Sequence, residues 1–284
     1  MLIGVRAHDF GKLPVWELAN KIQEKRISYI QLALSKAIAG IDDPAGILNP
    51  GIASYFRDVF YKRDIKISVL GCYLNYIHPD LEQRRKNLNV FKEHIRFARD
   101  FGCSIVGTET GSINADYTYN DENHGDKAFQ MLYESLKELV EEAEKFGVIV
   151  GIEGVTSHVI STPQKMKQMI DKINSNNLQV IFDPVNLLSI ENYENQDMII
   201  KESFDLFGDK IIIIHAKDFI MKDNELKQLA PGNGLLNYKL LCELIKKTKP
   251  YIEIIMEETK ESTVSESIDY IKKIQRVIVP ILRN

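Results

Sequence analysis

The sequence contains little cysteine. Its three cysteines, Cys72, Cys103 and Cys242, lie far apart among 284 residues. An odd number of cysteines at this spacing matches neither a disulfide framework nor a CxxC metal site. We therefore expect three reduced thiols that are buried or half-buried.

Long apolar runs are also absent. The longest purely aliphatic run covers residues 211–214, and Arg6 and Asp9 interrupt the first residues before any apolar stretch of signal-peptide length. A helix that spans a membrane needs about 20 apolar residues. We therefore predict a cytoplasmic protein that has no membrane partner.

The chain has no strong excess of positive charge. Its 40 acidic residues outnumber the 36 basic ones, and lysines and arginines form no long block. A protein that binds a phosphate backbone usually carries a basic patch, so nucleic acid is not an expected partner. The apolar share of 44% is typical of a globular protein with a large core.

What the chain does contain is a regular alternation of strand-like and helix-like segments. Eight short segments rich in isoleucine or valine are predicted strands: residues 3–8, 29–34, 66–74, 104–108, 148–153, 179–183, 211–215 and 253–257. The clearest amphipathic helix covers residues 129–146 and is predicted to end at Gly147. The unit at residues 45–63 is the least regular. Because no Ser/Gly-rich linker interrupts the pattern, we expect one domain over residues 1–284.

Eight strand and helix units predict an α/β fold, specifically a (β/α)₈ TIM barrel. Parallel strands with right-handed crossovers close into a barrel, which removes the exposed edges of an open sheet. An open, doubly wound sheet would be expected to carry a glycine-rich phosphate motif after the first strand, and VRAHDFGKLP has none.

Four predicted strands end on a side chain that can bind a metal ion: Glu153, Asp183, His215 and Glu257. A buried carboxylate or imidazole costs several kcal/mol unless a cation or partner compensates it. Because strand ends converge at the mouth of a barrel, we expect the four to share one site. Any one of them alone is more often a structural residue. Strand alternation lets only one of Glu257 and Glu258 point inward, and we choose Glu257, which directly ends the apolar run.

These motifs resemble the sugar phosphate isomerase/epimerase family, which has a xylose isomerase-like TIM barrel. That group includes ketose epimerases, inosose dehydratase and metal-dependent apurinic endonucleases. The resemblance rests on IEG at Glu153, FDPVNLL at Asp183, HAKDF at His215, PGNG at residues 231–234 and the EE pair at Glu257. It implies that the four strand-end residues bind one divalent cation, and their oxygen and nitrogen donors suit Mn²⁺, Mg²⁺, Co²⁺ or Zn²⁺. It also implies that Glu153 and Glu257 form the catalytic acid/base pair.

Two positions depart from the ketose epimerases. Those enzymes usually have His where this chain has Asn186, and Arg where it has Met221. The endonucleases also need His at the first of these positions and a later Asp-x-His motif, which is absent. A free-ketose epimerase and a DNA-repair enzyme are both disfavoured.

The leading hypothesis is a metal-dependent isomerase or epimerase of a small keto sugar, polyol or sugar phosphate. It would transfer a proton next to a carbonyl through an enediolate. One alternative is a dehydratase of a keto-polyol, such as an inosose, that uses the same metal site. An alternative of another class is a non-catalytic sugar-binding protein, which Asn186 and Met221 favour. A homo-oligomer formed through the outer helices is a further assembly that this fold allows.

Five further residues are candidates for substrate binding: His8, Glu109, His158, Asn186 and Lys217. His8 is predicted to end the first strand. For His8 and Glu109, a hydrogen bond that orients a metal ligand is an equal alternative. His158 has the alternative of a loop or helix-capping role, and Lys217 that of an ion pair with Asp218.

Two more histidines are expected outside the site. His94 falls on a predicted helix and His124 in a polar loop. We expect both to be exposed to solvent.

Overall fold

A computed structural model describes residues 2–278. The barrel strands are β1 (Leu2–Arg6), β2 (Tyr29–Ala33), β3 (Lys66–Gly71), β4 (Ile105–Glu109), β5 (Ile149–Glu153), β6 (Leu178–Phe182), β7 (Ile211–Ala216) and β10 (Glu253–Met256). They are parallel and close in the order β1, β10, β7, β6, β5, β4, β3, β2. The predicted (β/α)₈ barrel is confirmed.

Helices surround the barrel: α1 (Val15–Glu24), α2 (Leu34–Ala37), α3 (Pro50–Tyr61), α4 (Leu81–Phe97), α5 (Asp126–Phe146), α6 (Pro163–Ile173), α7 (Gln196–Phe207), α8 (Tyr238–Thr248) and α9 (Val264–Ile278). Helix α5 ends at Gly147 as predicted, because this residue adopts the left-handed conformation with φ 61°. The irregular second unit has a physical cause. Between β2 and β3 the chain forms two helices, the four-residue α2 and the separate α3. Asn49 caps α3, because its side chain accepts hydrogen bonds from two backbone amides.

Two predicted strands are too long. β1 ends at Arg6 rather than at His8, because residues 7–10 form a 3₁₀ turn in which the Gly11 amide donates to the His8 carbonyl. β3 ends at Gly71 rather than at Leu74. The apolar pattern continues beyond Gly71, but β2 and β4 make no further pairs there.

The interior of the barrel is filled by a small apolar plug. It consists of Val69, Ile181, Ile213 and Ile255, which come from β3, β6, β7 and β10 and are almost fully buried. Gly107 on β4 makes room for two of them, since a Cβ atom there would lie 2.7 Å from Val69 and 2.8 Å from Ile181. The plug forms the floor below the mouth of the barrel.

An antiparallel hairpin between β7 and α8 was not predicted. It consists of β8 (Asp218–Lys222) and β9 (Glu225–Leu229). Asp223 and Asn224 connect the strands, both with positive φ (54° and 61°). Asp and Asn are the non-glycine residues that tolerate this conformation best, so the turn itself had a sequence signal.

The remaining predictions can be checked on single residues. The three cysteines are free and buried, as expected. His124 is exposed, but the prediction for His94 was wrong: it is buried on the inner face of α4, and its Nδ1 lies 2.8 Å from the Val90 carbonyl one turn earlier. Within residues 2–278, every helix is too short or too polar to cross a membrane.

Candidate functional site

The four strand-end residues meet at the mouth of the barrel. Glu153 ends β5, Asp183 follows β6, His215 lies in β7 and Glu257 follows β10. One donor atom from each lies within 4.8 Å of all the others, and all four side chains are buried. The strands that carry them are direct neighbours in the barrel, which is why residues so far apart in the chain come together. Glu258 points away from the cluster and binds Arg6.

The orientation of His215 is set by two residues that the sequence analysis missed. Its Nε2 lies 2.7 Å from Oε1 of Gln31, and the Gln31 amide nitrogen donates to the Tyr73 hydroxyl at 2.7 Å. Because Tyr73 takes the amide nitrogen, the amide oxygen must face the imidazole, so Nε2 carries the hydrogen. Nδ1 then faces the cluster, 3.1 Å from carboxylate oxygens of both Glu153 and Glu257.

Two cations are already paired with these carboxylates. The Lys217 ammonium lies 3.0 Å from both Asp183 Oδ2 and Glu257 Oε2. Arg6 lies 3.2 Å from Glu257 and also contacts Asp9 and Glu258. Lys217 is therefore not the partner of Asp218, the alternative considered from sequence.

Asp218 instead binds backbone amides. Its two oxygens accept hydrogen bonds from Phe219, Gly232 and Leu236. These bonds fix the PGNG loop beside the hairpin.

The cluster shifts the pKa values of its members. Burial raises the pKa of Asp183 to about 6, against the opposing effect of Lys217. Burial also opposes ionisation of Glu257, but Lys217 and His215 outweigh it and hold the pKa of that carboxyl well below its usual range. Burial lowers the pKa of His215, whereas the neighbouring carboxylates outweigh this and raise it to about 9. The proton held by His215 and the Lys217 ammonium thus supply positive charge that partly neutralises the buried carboxylates.

A polar cavity of about 240 Å³ opens above the cluster. All five predicted substrate-binding residues line it, namely His8, Glu109, His158, Asn186 and Lys217. Lys36 at its rim and Gln228 from β9 were not predicted. The hairpin therefore forms part of the cavity wall, while Met221 lies on the neighbouring strand β8.

The predicted rim residues have different environments. Asn186 donates to Glu153 Oε1 at 2.8 Å, so it orients that carboxylate. His158 packs edge-on against Tyr117, with its Nδ1 3.7 Å from a Glu109 oxygen. Burial and the nearby Glu153 raise the pKa of Glu109 above its ordinary value.

Three buried polar atoms at this site have no hydrogen-bond partner within residues 2–278. They are Nδ1 of His8, Nδ1 of His158 and Oδ2 of Asp183. The Asp183 oxygen lies near the Lys217 ammonium but without hydrogen-bond geometry. Such atoms are costly to bury, so the two imidazole nitrogens indicate places for ligand atoms, whereas the Lys217 ammonium compensates the Asp183 oxygen.

Solved structures share this fold. A D-tagatose 3-epimerase-like protein superposes with a TM-score of 0.77 at 19% identity, over 98% of both chains. A xylose isomerase-like TIM barrel protein from Mycobacterium smegmatis, solved in complex with magnesium, gives 0.73 at 16% identity over 93% of this chain and 89% of that one. The IOLI protein, solved with a zinc atom, gives 0.72 at 14% identity over 99% of this chain and 100% of that one.

Sequence comparison also relates this chain to known proteins. The uncharacterized protein MJ1311 of Methanocaldococcus jannaschii is 24% identical over 204 residues. The alignment covers 70% of this chain and 66% of that protein, just under two thirds of its length. Residues 41–274 match the family model described as xylose isomerase-like TIM barrel, which confirms the resemblance seen in the motifs. The chain belongs to the xylose isomerase-like TIM barrel family.

Proposed function

We propose that this protein is a divalent-metal-dependent isomerase or epimerase of a small keto sugar or polyol, acting by proton transfer next to a carbonyl. The observation that carries this proposal is the convergence of four donor atoms within 4.8 Å, directly below a polar cavity. The structures of similar fold support it, since they include an epimerase-like protein and complexes with magnesium and zinc.

The residues present fit a divalent cation. The donor set is three carboxylates and one imidazole nitrogen, which suits Mn²⁺, Mg²⁺, Co²⁺ or Zn²⁺. Asp183 Oδ2 is buried in the cluster and faces the Lys217 ammonium at 3.0 Å, so this oxygen already lies where a cation is bound. A bound ion of this kind polarises a carbonyl and stabilises the negative charge that develops on its oxygen.

Glu153 and Glu257 are the proposed proton carriers. They come from β5 and β10, with β6 and β7 between them, so their carboxylates approach the cavity from different sides. Asn186 holds Glu153 in place, and Arg6 does the same for Glu257. One carboxylate would remove the proton beside the carbonyl, and the other, after taking a proton from solvent, would return one to the enediolate. Each turnover then leaves the two groups with exchanged protonation states.

A dehydratase is the second candidate, and one residue favours it. The pKa of Glu109 is raised by burial, so this carboxyl can hold a proton near neutral pH and give it to a departing hydroxyl. Removal of the proton beside the carbonyl would be the same first step in both reactions.

Solvent isotope exchange tests the proposal. We expect the Mn²⁺-loaded protein in D₂O to incorporate deuterium next to the carbonyl of at least one member of a keto-sugar and keto-inositol panel, as followed by NMR. Glu153→Gln should slow this exchange about 10²–10⁴-fold while sugar binding persists, because a proton carrier and metal ligand is lost and the rest of the cavity is kept. Glu82→Gln, on the exposed first turn of α4, is the matched control.

The products separate the candidates. A rearranged sugar supports an isomerase or epimerase, and loss of water supports the dehydratase. Sugar binding without any exchange in the wild-type protein would contradict both and would favour a non-catalytic sugar-binding protein.

A further inference from the structure

A second cavity lies beside the mouth cavity. Its volume is about 300 Å³, and it is bounded by α2, residues 42–44, the end of β3 and helix α4. We call it the α4 cavity. Lys36 and Tyr73 line both this space and the mouth cavity, so the two cavities adjoin. The four metal-binding candidates do not line the α4 cavity, so its residues have no part in the chemistry proposed above.

The boundary between the two cavities consists of one fixed ring and one long side chain. The Tyr73 hydroxyl accepts a hydrogen bond from the Gln31 amide at 2.7 Å. The Tyr73 ring packs back against β3, and Gly71 makes room for it, since a Cβ atom there would lie 2.8 Å from the ring. The Lys36 ammonium lies 4.8 Å from the ring centroid, and this side chain is exposed. A ligand can therefore pass from one cavity to the other when the flexible Lys36 side chain moves aside.

His94 provides an unsatisfied acceptor in the α4 cavity. It lines this cavity although it is only 1% exposed. Its Nδ1 lies 2.8 Å from the Val90 carbonyl oxygen, so Nδ1 carries the hydrogen. Burial lowers the pKa of this imidazole, which keeps the ring neutral and leaves Nε2 as an acceptor. Within residues 2–278 no donor bonds to Nε2, so His94 indicates the place of a donor group on a ligand.

The charges that line the α4 cavity balance. Lys86 pairs with Asp43 at 3.0 Å, and Lys36 is matched in number by Asp42. An anionic ligand therefore gains no net attraction from the lining. A phosphate dianion also offers acceptors only, so it cannot satisfy Nε2 of His94, whereas a hydroxyl group can donate to it.

The rest of the lining is apolar. Leu34, Cys72 and Val90 are buried and face the same space as the polar side chains. A sugar ring matches such a lining, because it has C–H groups on its faces and hydroxyls around its edge. The α4 cavity is larger than the mouth cavity of about 240 Å³, so it has room for a second ring.

We propose that the α4 cavity is a second sugar subsite, and that the substrate is a keto sugar linked glycosidically to another sugar. The keto sugar lies in the mouth cavity, and the linked ring lies in the α4 cavity with one hydroxyl donating to Nε2 of His94. This inference rests on the proposed function, because the keto group of the same molecule lies at the metal cluster. It adds a subsite and the size of the substrate.

Isothermal titration of the Mn²⁺-loaded full chain tests the proposal. D-fructose is compared with its glycosylated forms turanose, maltulose, lactulose and isomaltulose, and 3-keto-glucose with 3-keto-maltose. We expect at least one disaccharide to bind about tenfold or more tightly than its monosaccharide, because the second ring makes contacts of its own. Equal or weaker binding of every disaccharide would overturn the proposal.

Fructose 6-phosphate distinguishes a ring from an anion in the α4 cavity. We expect it to bind no more tightly than the best disaccharide. If it alone gained affinity over fructose, and lost that gain in Lys36→Met, Lys36 would hold an anion here and the proposal would be wrong.

A variant that fills the α4 cavity locates the effect. Ser35, on α2, is half-buried and lines the cavity. Ser35→Phe should weaken disaccharide binding about tenfold or more and leave monosaccharide binding unchanged, because the new ring takes the space of the second sugar. Ser265→Phe, at an exposed position of α9 outside both cavities, is the matched control. An unchanged preference for the disaccharide in Ser35→Phe would contradict the assigned subsite.

A second pair of variants tests the contact with His94. His94→Leu should weaken disaccharide binding about tenfold, and His94→Gln should recover part of it, because glutamine keeps an acceptor. Monosaccharide binding should not change in either variant, and His124→Leu, an exposed histidine, is the control. Circular dichroism checks the fold of each variant, and Ser35→Phe tests the same subsite without altering the buried face of α4. Wild-type disaccharide affinity in a folded His94→Leu would contradict the proposed hydrogen bond.

The result is separable from the proposed function. Tighter binding of a disaccharide without deuterium exchange would refute the proposed reaction and leave the second subsite standing. Exchange on monosaccharides with no gain in affinity from a second ring would support the reaction and refute this inference.

Discussion

The two ends of the barrel differ in what their cavities contain. The larger cavity, about 560 Å³, lies at the N-terminal ends of the strands. Six of its fifteen lining residues are isoleucines: Ile65, Ile67, Ile105, Ile212, Ile213 and Ile252. Arg57, Lys66 and Glu253 also line it. Tyr61 and Tyr251 lie exposed at its edge. The mouth cavity is less than half that volume, yet it contains the buried carboxylates, the imidazoles and the paired cations.

The volume of a cavity therefore does not locate the chemistry of this barrel. Apolar side chains at the base need no ligand. At the mouth, polar atoms that are buried without partners cost folding free energy until a ligand binds to them. The base has a single atom of this kind within residues 2–278, the Ser68 hydroxyl oxygen. Equivalent substitutions at the two ends are therefore expected to have very different effects on activity and stability.

The largest expected difference concerns two glutamates on one strand. Glu253 begins β10 at the base, and Glu257 follows its other end at the mouth. Glu257→Gln should lower the rate of deuterium exchange about 10²–10⁴-fold, because a proton carrier and metal ligand is removed. Glu253→Gln should keep nearly the wild-type rate. Similar rates in both variants would contradict the assignment of the mouth as the active end.

The next largest effect concerns buried lysine. Lys217→Met leaves the buried Asp183 without its lysine partner and Glu257 with only Arg6 and His215, so the metal-free protein should lose about 3–5 kcal/mol of unfolding free energy. Saturating Mn²⁺ should restore most of this, because the ion replaces the missing charge. Urea unfolding with and without Mn²⁺ measures both.

A lysine at the base is the control for that experiment. Lys66→Met, on the exposed start of β3, should change stability by less than about 0.5 kcal/mol with or without the ion. An Mn²⁺-independent loss in Lys217→Met would argue against a shared cation site.

A smaller effect should follow from the residue that orients His215. Gln31→Leu removes the acceptor at Nε2, so affinity for Mn²⁺ should fall about 10–100-fold. Tyr73→Phe should cause a lesser loss, since only the support of the Gln31 amide is removed. Titration calorimetry gives the affinities, and ¹⁵N chemical shifts report the His215 tautomer.

A second strand glutamine serves as the reference. Gln179→Leu, on β6, changes the same residue type away from the mouth cavity and should leave both readouts unaltered. Wild-type affinity in Gln31→Leu would show that other contacts suffice to orient the imidazole.

The smallest effect is expected at the base. Ser68→Ala removes a buried hydroxyl that lacks a partner, so stability should stay constant or rise by up to about 1 kcal/mol, and exchange activity should not change. Thermal unfolding measures this. A clear destabilisation would mean that the base also binds a ligand through Ser68.

The sequence predicted the barrel and the four strand ends because both are local patterns. An aliphatic run that stops at Glu153 or His215 is visible without knowledge of the rest of the chain. The residues that orient those side chains are distant in the sequence. Gln31 precedes His215 by 184 positions, and nothing near Gln31 identifies His215 as its partner. Arg6 was missed for the same reason, since its carboxylate partner Glu257 lies near the other end of the chain.

Two other misses have a different cause. His94 was predicted to be exposed because polar residues on helices usually are, but it lies on the buried face of α4 and satisfies its Nδ1 within its own helix. The hairpin β8–β9 has a mixed polar and apolar sequence without a buried run, so only its Asp223–Asn224 turn was recognisable. Strand patterns are weak where a strand has little to bury.

The apolar plug of Val69, Ile181, Ile213 and Ile255 has a kinetic consequence. Because it separates the two cavities, the mouth is a dead end rather than a tunnel. A ligand must enter and leave the mouth cavity through the same opening. The product must therefore dissociate before the next sugar can bind.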